Sequence, residues 1–440
     1  MSSSTSRVKI VIVGAGPCGL LLAWNLLQHN DSKTYDIFIV EKRSDPRSKT
    51  DAASSDRTFP IALQSRGWNA LPKSIQSTLS NQGVWVVGLC LHGKKGRRFI
   101  PRDKPNLSID RNQLAKTLLE AVAQAATSKS KVQFHFDSAM EDLDHDAKTI
   151  SIRSNNTNND TTTTTTTLAF DYLVAADGGR SQVRQELCDN NLLTADIQEI
   201  PDDYRTIHLS RAAPKVERMD SDKIHGWMFP TCKIIAVPIH PGVVSGAIIF
   251  DKGSDPFATM TEPHQVQDYF AQLSPEELAF LVSDEEADAL LNRPTATLLS
   301  VRCSQLHTPH TLLLGDAAHA VSASCGQGCN AALQDVQVFC DTLAQQNHEW
   351  NKALPAYTQA RLGDAHAVSE LSDYTHPRSG WLKFEFIART ILRKLLPLWL
   401  ANWLLKPLPT EVLAGTDISY TQVLAQTQWW VDRVKKQTQQ

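Results

Sequence analysis

The chain carries no CxxC pair, no stripe of basic residues and no unbroken apolar run of bilayer length, and each absence removes a class of function. Its eight cysteines, Cys18, Cys90, Cys188, Cys232, Cys303, Cys325, Cys329 and Cys340, are scattered, which argues against a zinc ribbon and against a secreted disulfide framework. A reducing, cytoplasmic setting and no bound metal are expected. Lys and Arg total 44 against 47 Asp and Glu, a formal net charge of −3, and no segment gathers the cations, so the partner is a small molecule and not a nucleic acid. Ile10–Leu27 is uncharged and mostly apolar, but Gly14, Gly16, Pro17 and Gly19 would break a spanning helix in its first half. Neither a signal peptide nor a transmembrane helix is expected there.

What is present is ordinary globular material: 42% apolar and 21% charged residues over 440 positions, enough for two or three units with real cores. The first 45 residues read as strand Val8–Val13, a glycine turn, helix Gly19–His29 and strand Tyr35–Glu41, a βαβ opening. An amphipathic helix is expected over Ser108–Ala126, then strands at Val132–Phe136, Thr149–Arg153 and Leu168–Ala176. Between the last two, SNNTNNDTTTTTTT has nothing to bury and reads as a floppy hairpin insertion. Residues 197–299 turn mainly β, with a helical patch near Pro263–Leu281, and Thr311–Leu314 returns to a buried strand before helix Asn330–Gln345. The remainder from Glu349 is helical and holds six of the ten tryptophans.

The chemistry starts at Gly14-Ala-Gly16-Pro-Cys-Gly19. Gly14 permits a tight turn, Gly16 lets the backbone approach a pyrophosphate at a helix N-terminus, and Gly19 allows close helix–strand packing. Glu41 closes the second strand about 20 residues on, where an acid can accept bonds from a ribose diol. This is a dinucleotide fingerprint in its required context, and by itself it leaves FAD and NAD both open.

Two later segments decide between them. One is Asp177-Gly-Gly-Arg-Ser181, with Arg184 beyond it; the other is Gly315-Asp316-Ala-Ala-His319, and each follows a strand. With these in order behind the fingerprint, residues 8–345 resemble the class A flavoprotein monooxygenases, the p-hydroxybenzoate hydroxylase-like family. The resemblance implies an α/β fold: a discontinuous Rossmann-like FAD-binding domain (1–75, 106–196 and 300–345), a mainly β substrate domain (76–105 and 197–299) and a helical C-terminal region (346–440). It implies FAD, with NADPH or NADH and O2 as co-substrates, and hydroxylation of a small aromatic substrate through a flavin C4a-hydroperoxide. Cofactor contacts then fall to Gly14, Gly16, Gly19, Glu41, Arg43, Ala62, Arg111, Asp177, Asp316, Gly326, Gly328, Cys329 and Asn330. A carboxylate such as Asp316 at a strand end can accept bonds from ribitol hydroxyls. Cys325-Gly-Gln-Gly-Cys-Asn330 opens a helix whose positive end can meet charge developing on the flavin, and its glycines are explained by close backbone approach.

Within that family, the kynurenine 3-monooxygenase branch is echoed by Arg57-Thr-Phe-Pro-Ile-Ala-Leu-Gln-Ser-Arg66-Gly67, Ser108-Ile-Asp-Arg111, His225-Gly-Trp227 and Ile418-Ser-Tyr420. The chain also departs from it. That branch anchors its substrate carboxylate with an Arg on the strand before a Gly-Lys-Lys turn and a Tyr after an Ile-Pro. Here Val84–His92 holds no Arg, and Arg102 stands after Ile100-Pro101. The Pro usual after the Gly-Asp segment is replaced within Val321-Ser322-Ala323-Ser324, the loop expected near the flavin. Arg102 and Trp227 are the candidate substrate residues; kynurenine itself is expected to be a poor substrate and a less acidic aromatic to be preferred, unless Arg102 anchors an anion.

Two questions stay open on the sequence. Leu395–Leu405 is uncharged and interrupted by Pro397; it either roofs the substrate pocket, the preferred reading, or lets 389–406 lie on a membrane surface. A flavin halogenase or reductase and a non-catalytic flavin redox sensor share this fold, although Gly226-Trp-Met-Phe-Pro230 holds one Trp where halogenases carry a pair.

Overall fold

The structure is a computed structural model that describes residues 7–28, 33–48, 60–93, 96–127, 130–155, 163–210, 219–240, 243–274, 277–278, 281–378 and 380–438. The chain divides into two compact units, one of 1–43, 122–198 and 299–440, the other of 44–121 and 199–298.

The first unit is organised by a six-stranded sheet in the order His307–Thr308, Thr311–Leu313, Tyr172–Ala175, Val8–Val13, Tyr35–Val40 and Lys131–His135. All neighbours run parallel except the outermost short strand. The central strands are sealed on both faces, with Ile10, Val11, Ile12, Leu173, Val174 and Ala175 inaccessible to water, which is why they read as continuous apolar runs. Their ends are in register: the Gly14 N–H donates to Val40 O, the Ala176 N–H to Val13 O and the Leu314 N–H to Ala175 O. That alignment brings the fingerprint, the Asp-Gly segment and the Gly-Asp segment to one carboxyl edge of the sheet, where ligands of such folds bind. Helix Pro17–Gln28 packs on Gly328–Gln345, with the Cys18 thiol donating to Ala332 O, and Trp350–Tyr374 packs between Gly328–Gln345 and Tyr420–Thr438.

The second unit holds most of an eight-stranded mixed sheet in the order Ala296–Cys303, Ala195–Ser210, Val243–Asp251, Cys232–His240, Lys223–Met228, Val84–Gly93, Gly96–Asp110 and Pro60–Leu63. Helices Pro263–Leu273 and Asp284–Asn292 cover one face, burying Val266, Phe270, Ala287 and Leu290 against Ile207, Trp227, Ile234 and Ile248.

Several expectations are corrected. The helix expected from Ser108 begins at Arg111, because Asp110 Oδ1 accepts the Asn112 and Gln113 N–H groups as an N-cap while Ser108 pairs in the sheet. The expected strand Leu168–Ala176 is two: Thr163–Ala169 joins an antiparallel sheet with Ser138–Asp144 and Thr149–Asn155, and Tyr172–Ala175 joins the parallel sheet. The threonine tract does form a hairpin arm, but Thr163–Thr167 pairs regularly with Ser151–Asn155 instead of hanging loose, as β-branched side chains favour. Its middle, 156–162, lies outside the described residues, as does Arg57–Phe59. Residues 44–75 and 106–121 cluster with the second unit, and the C-terminal helices cluster with the first.

Candidate active site

At the start of the first sheet strand's turn, Gly14 adopts φ +108°, and a Cβ there would fall 2.2 Å from Ala176 O. A Cβ on Gly19 would fall 2.3 Å from Gly14 O, whereas one on Gly16 would meet nothing within 4 Å. Gly14 and Gly19 are therefore demanded by the fold. Gly16 faces open space, and its lack of a side chain leaves room for an incoming group at the N-terminus of Pro17–Gln28. Glu41 is buried beside this turn: Oε2 accepts the Ala15 N–H at 2.9 Å, and Oε1 accepts the Arg43 backbone N–H at 3.0 Å and Nε at 2.9 Å. Burial works to raise the Glu41 carboxyl, but Arg43 outweighs it and holds it below the ordinary range. A charged carboxylate has about four acceptor positions, so one remains for a diol.

The other two motifs are built around this edge. Asp177 Oδ2 caps helix Gln182–Asp189 by accepting the Gln182 N–H at 2.7 Å, while Oδ1 is buried with no partner among the described residues, an orphan that a bound cofactor's hydroxyl or ordered water would satisfy. Arg184 clasps the two segments, donating from one amino group to Ala317 O and from the other to Gly179 O, each at 2.8 Å. Asp316 is exposed between the buried Gly315 and Ala317, its Oδ1 3.9 Å from where a Cβ on Gly328 would lie. Gly326 takes the left-handed region at φ +63° and is exposed. Gln327 and Asn330 are buried and committed: Gln327 Oε1 accepts the Tyr420 hydroxyl at 2.9 Å, and Asn330 Nδ2 donates to Gly326 O at 2.9 Å. Asn330 thus shapes the loop through its own amide. Cys329 is half-buried. In the preceding loop, Ser322 and Ser324 both donate to Ser372 O, Val321 packs on the helical core, and Ala323 and Ser324 are exposed.

Behind the Gly-Asp segment lies a polar centre that the sequence reading missed. Asp335, wholly buried on Gly328–Gln345, accepts the Gly315 N–H at 2.9 Å, His319 Nε2 at 2.6 Å and Arg361 Nε at 2.7 Å. Burial would raise its carboxyl, but His319 and Arg361 together hold it low. The guanidinium of Arg361 also donates to Ala331 O and lies over the Tyr420 ring.

In the second unit, Ala62 is half-buried on Pro60–Leu63, and Arg111 opens helix Arg111–Ala125 at the surface. Arg102 sits half-buried on Gly96–Asp110; its Nε is shielded from water with no hydrogen-bond partner among the described residues, and burial lowers the guanidinium pKa. Trp227, expected at the substrate, is a core residue: it is 3% exposed, stacks on His92 at 4.2 Å and donates its N–H to Glu277 Oε2 at 2.9 Å. Its polar atom is taken and its ring belongs to the core cluster of this unit.

Residues 7–372 match the family described as the FAD binding domain. The chain belongs to that family. Among its relatives, kynurenine 3-monooxygenase of Sus scrofa is 27% identical over 440 residues, covering 97% of this chain and 88% of the relative. The enzyme of the same name from Salinispora tropica is 28% identical, covering 98% and 93%. Among solved structures, 2-methyl-3-hydroxypyridine-5-carboxylic acid oxygenase matches with a TM-score of 0.68 at 16% identity, over 94% of this chain and 97% of that one. PqsL of P. aeruginosa, solved with 2-aminobenzoylacetate, gives 0.57 at 19%, over 84% and 97%. The expected fold, the FAD cofactor and the class of enzyme, a flavin-dependent monooxygenase using NAD(P)H, stand.

Proposed function

We propose that this monooxygenase hydroxylates a small aromatic substrate carrying an anionic group, and that Arg102 anchors the anion. The observation that supports this is the buried Nε of Arg102, which has no partner among the described residues: a guanidinium so placed is costly until a counter-ion arrives, and a carboxylate or phenolate supplies one. FAD would be held by the Gly14–Gly19 turn, Glu41 and Asp316, and when bound it supplies hydride acceptance from NAD(P)H and the activation of O2. The protein's own part is to position the ligand: Glu41 receives the ribose diol, the helix ends at Pro17 and Gly328 face negative charge, and Arg43 keeps Glu41 ionised. No side-chain nucleophile is required.

The reading is tested by screening aromatic acids for NAD(P)H consumption, with mass-spectrometric detection of a product carrying one atom from labelled O2. The anchoring cation has moved from the strand Val84–Gly93 to its antiparallel neighbour Gly96–Asp110, so the carboxylate of kynurenine meets a differently placed partner and turnover is expected to be poor. Arg102→Ala should raise KM for the preferred acid about tenfold, a loss of about 1.4 kcal/mol, with FAD content unchanged. Efficient kynurenine hydroxylation that this substitution leaves untouched overturns the assignment.

A second reading concerns helices Gly380–Leu395 and Leu398–Leu404, which we propose lie on a lipid surface. No helix among the described residues is long and apolar enough to cross a membrane. Yet Trp381, Phe384, Leu395, Trp399 and Trp403 are 63–78% exposed, and Arg389 and Arg393 are turned inward to Glu385 and Glu411. Exposed Lys383 and Lys406 flank this apolar face, the pattern of an interfacial segment. The protein should sediment with phosphatidylcholine–phosphatidylserine vesicles, and Trp399→Ser with Trp403→Ser should abolish it. A concentration-dependent dimer with no vesicle binding would contradict this reading.

A further inference from the structure

We infer that Cys90, His92 and His225, buried in the second unit's sheet, bind a zinc ion. Strands Val84–Gly93 and Lys223–Met228 run parallel, His225 is in register with Cys90, and His92 lies two residues along on the same buried face. The Cys90 Sγ and one ring nitrogen from each histidine all lie within 4.8 Å of one another.

His92 Nδ1 stands 3.0 Å from Glu277 Oε2, a carboxylate oxygen that also accepts the Trp227 N–H. A carboxylate only accepts, so Nδ1 carries a hydrogen. His225 Nε2 stands 3.0 Å from the carbonyl oxygen of Asp220, which likewise only accepts, so Nε2 carries a hydrogen too. In the two neutral rings, the remaining nitrogens, His92 Nε2 and His225 Nδ1, are therefore both lone pairs. They face each other at 2.9 Å. Two acceptors at that distance repel unless a cation lies between them. A third proton would bridge the two nitrogens but make no use of the Cys90 thiol beside them. A metal ion is favoured because a third donor, the Cys90 thiol, is present.

The surroundings are those of a metal site. Each histidine donates its outer N–H to an acceptor, one of them a carboxylate, which fixes ring orientation and tautomer as outer partners of bound zinc do. Glu277 is itself set by Trp227 and by Arg97, whose Nε is 3.5 Å from Oε1; Lys223 pairs with Asp220 on the other side. Zinc bonds of about 2.0–2.1 Å to nitrogen and 2.3 Å to sulfur need the two nitrogens to part by only a few tenths of an ångström. Two nitrogens and a thiolate leave a fourth position for water. The ligands come from two strands far apart in sequence, so no ligand spacing betrays them. Bound zinc would pin the parallel pair at the centre of a sheet otherwise joined, among the pairings described, by antiparallel neighbours.

The test uses FAD-loaded protein dialysed against a chelator and then titrated with Zn2+ alone in competition with a chromophoric chelator. One equivalent per chain with submicromolar affinity is expected, with zinc-edge absorption reporting one sulfur and two imidazoles. Cys90→Ser and His225→Gln should each weaken binding by more than the about 10–100-fold expected of the outer-partner change Glu277→Gln, while Cys303→Ser leaves it intact. If either ligand variant misfolds, Co2+ on the wild-type chain decides: intense d–d bands beyond the flavin absorption and a thiolate-to-cobalt transition are expected. Substoichiometric uptake, binding indifferent to Cys90→Ser and His225→Gln, or a cobalt spectrum without sulfur overturns the site.

Discussion

Gly16→Val should yield a folded but colourless protein. A Cβ at position 16 meets nothing within 4 Å, and its φ lies outside the left-handed region, so the substitution costs the empty chain little. The same branched side chain would occupy the space at the mouth of helix Pro17–Gln28 that a pyrophosphate must enter to reach the free N–H groups. FAD affinity should fall at least about 100-fold, roughly 2.7 kcal/mol, with far-ultraviolet dichroism matching the wild-type chain stripped of flavin. Gly19→Val is the contrasting case: its Cβ collides with Gly14 O at 2.3 Å, so loss of flavin should come with loss of the fold. A yellow Gly16→Val protein with full FAD occupancy would show that the cofactor does not use this turn.

The contrast between these two glycines explains what could be read from the sequence. A tight turn, a helix start and an acid ending the next strand are local events, each written in a few adjacent residues, and the parallel register then brings Gly14, Asp177 and Asp316 to one edge without further instruction. Residues whose role depends on a distant partner were not legible. Trp227 looked like a substrate contact because nothing nearby shows that Glu277 takes its N–H. The helix after Ser108 was legible from its apolar periodicity, which does not mark its first residue; Asp110, whose carboxylate caps Asn112 and Gln113, does. Asp335 gave the one missed hint: a lone acid among Ala331, Ala332, Leu333, Val336 and Phe339 needs a buried cation, but the sequence does not say which.

That acid is the second large effect. Asp335→Asn keeps the size of the side chain but removes the charge that pairs Arg361 and His319, leaving Arg361, 1% exposed, with Asp364 Oδ2 at 3.2 Å as its remaining counter-charge. Breaking a buried pair from one side costs about 3–5 kcal/mol, and denaturant unfolding of the first unit should register that loss. The Gly315 N–H loses a charged acceptor at the same moment, so the Gly-Asp segment loosens and FAD should dissociate more readily than from wild type. If the penalty belongs to the lost pairing of Arg361, Asp335→Leu with Arg361→Met should lose less than the sum of the two single changes, by about 0.5–3 kcal/mol. The pH dependence has a definite sign. The folded Asp335 carboxyl lies below its ordinary value, so its contribution is present above the unfolded carboxyl range and disappears as pH falls through the folded value. The stability gap between wild type and Asp335→Asn should therefore be constant at neutral pH and close only in acid. An Asp335→Asn protein with the wild-type unfolding midpoint at neutral pH would remove this centre from the account of how the Gly-Asp segment is held.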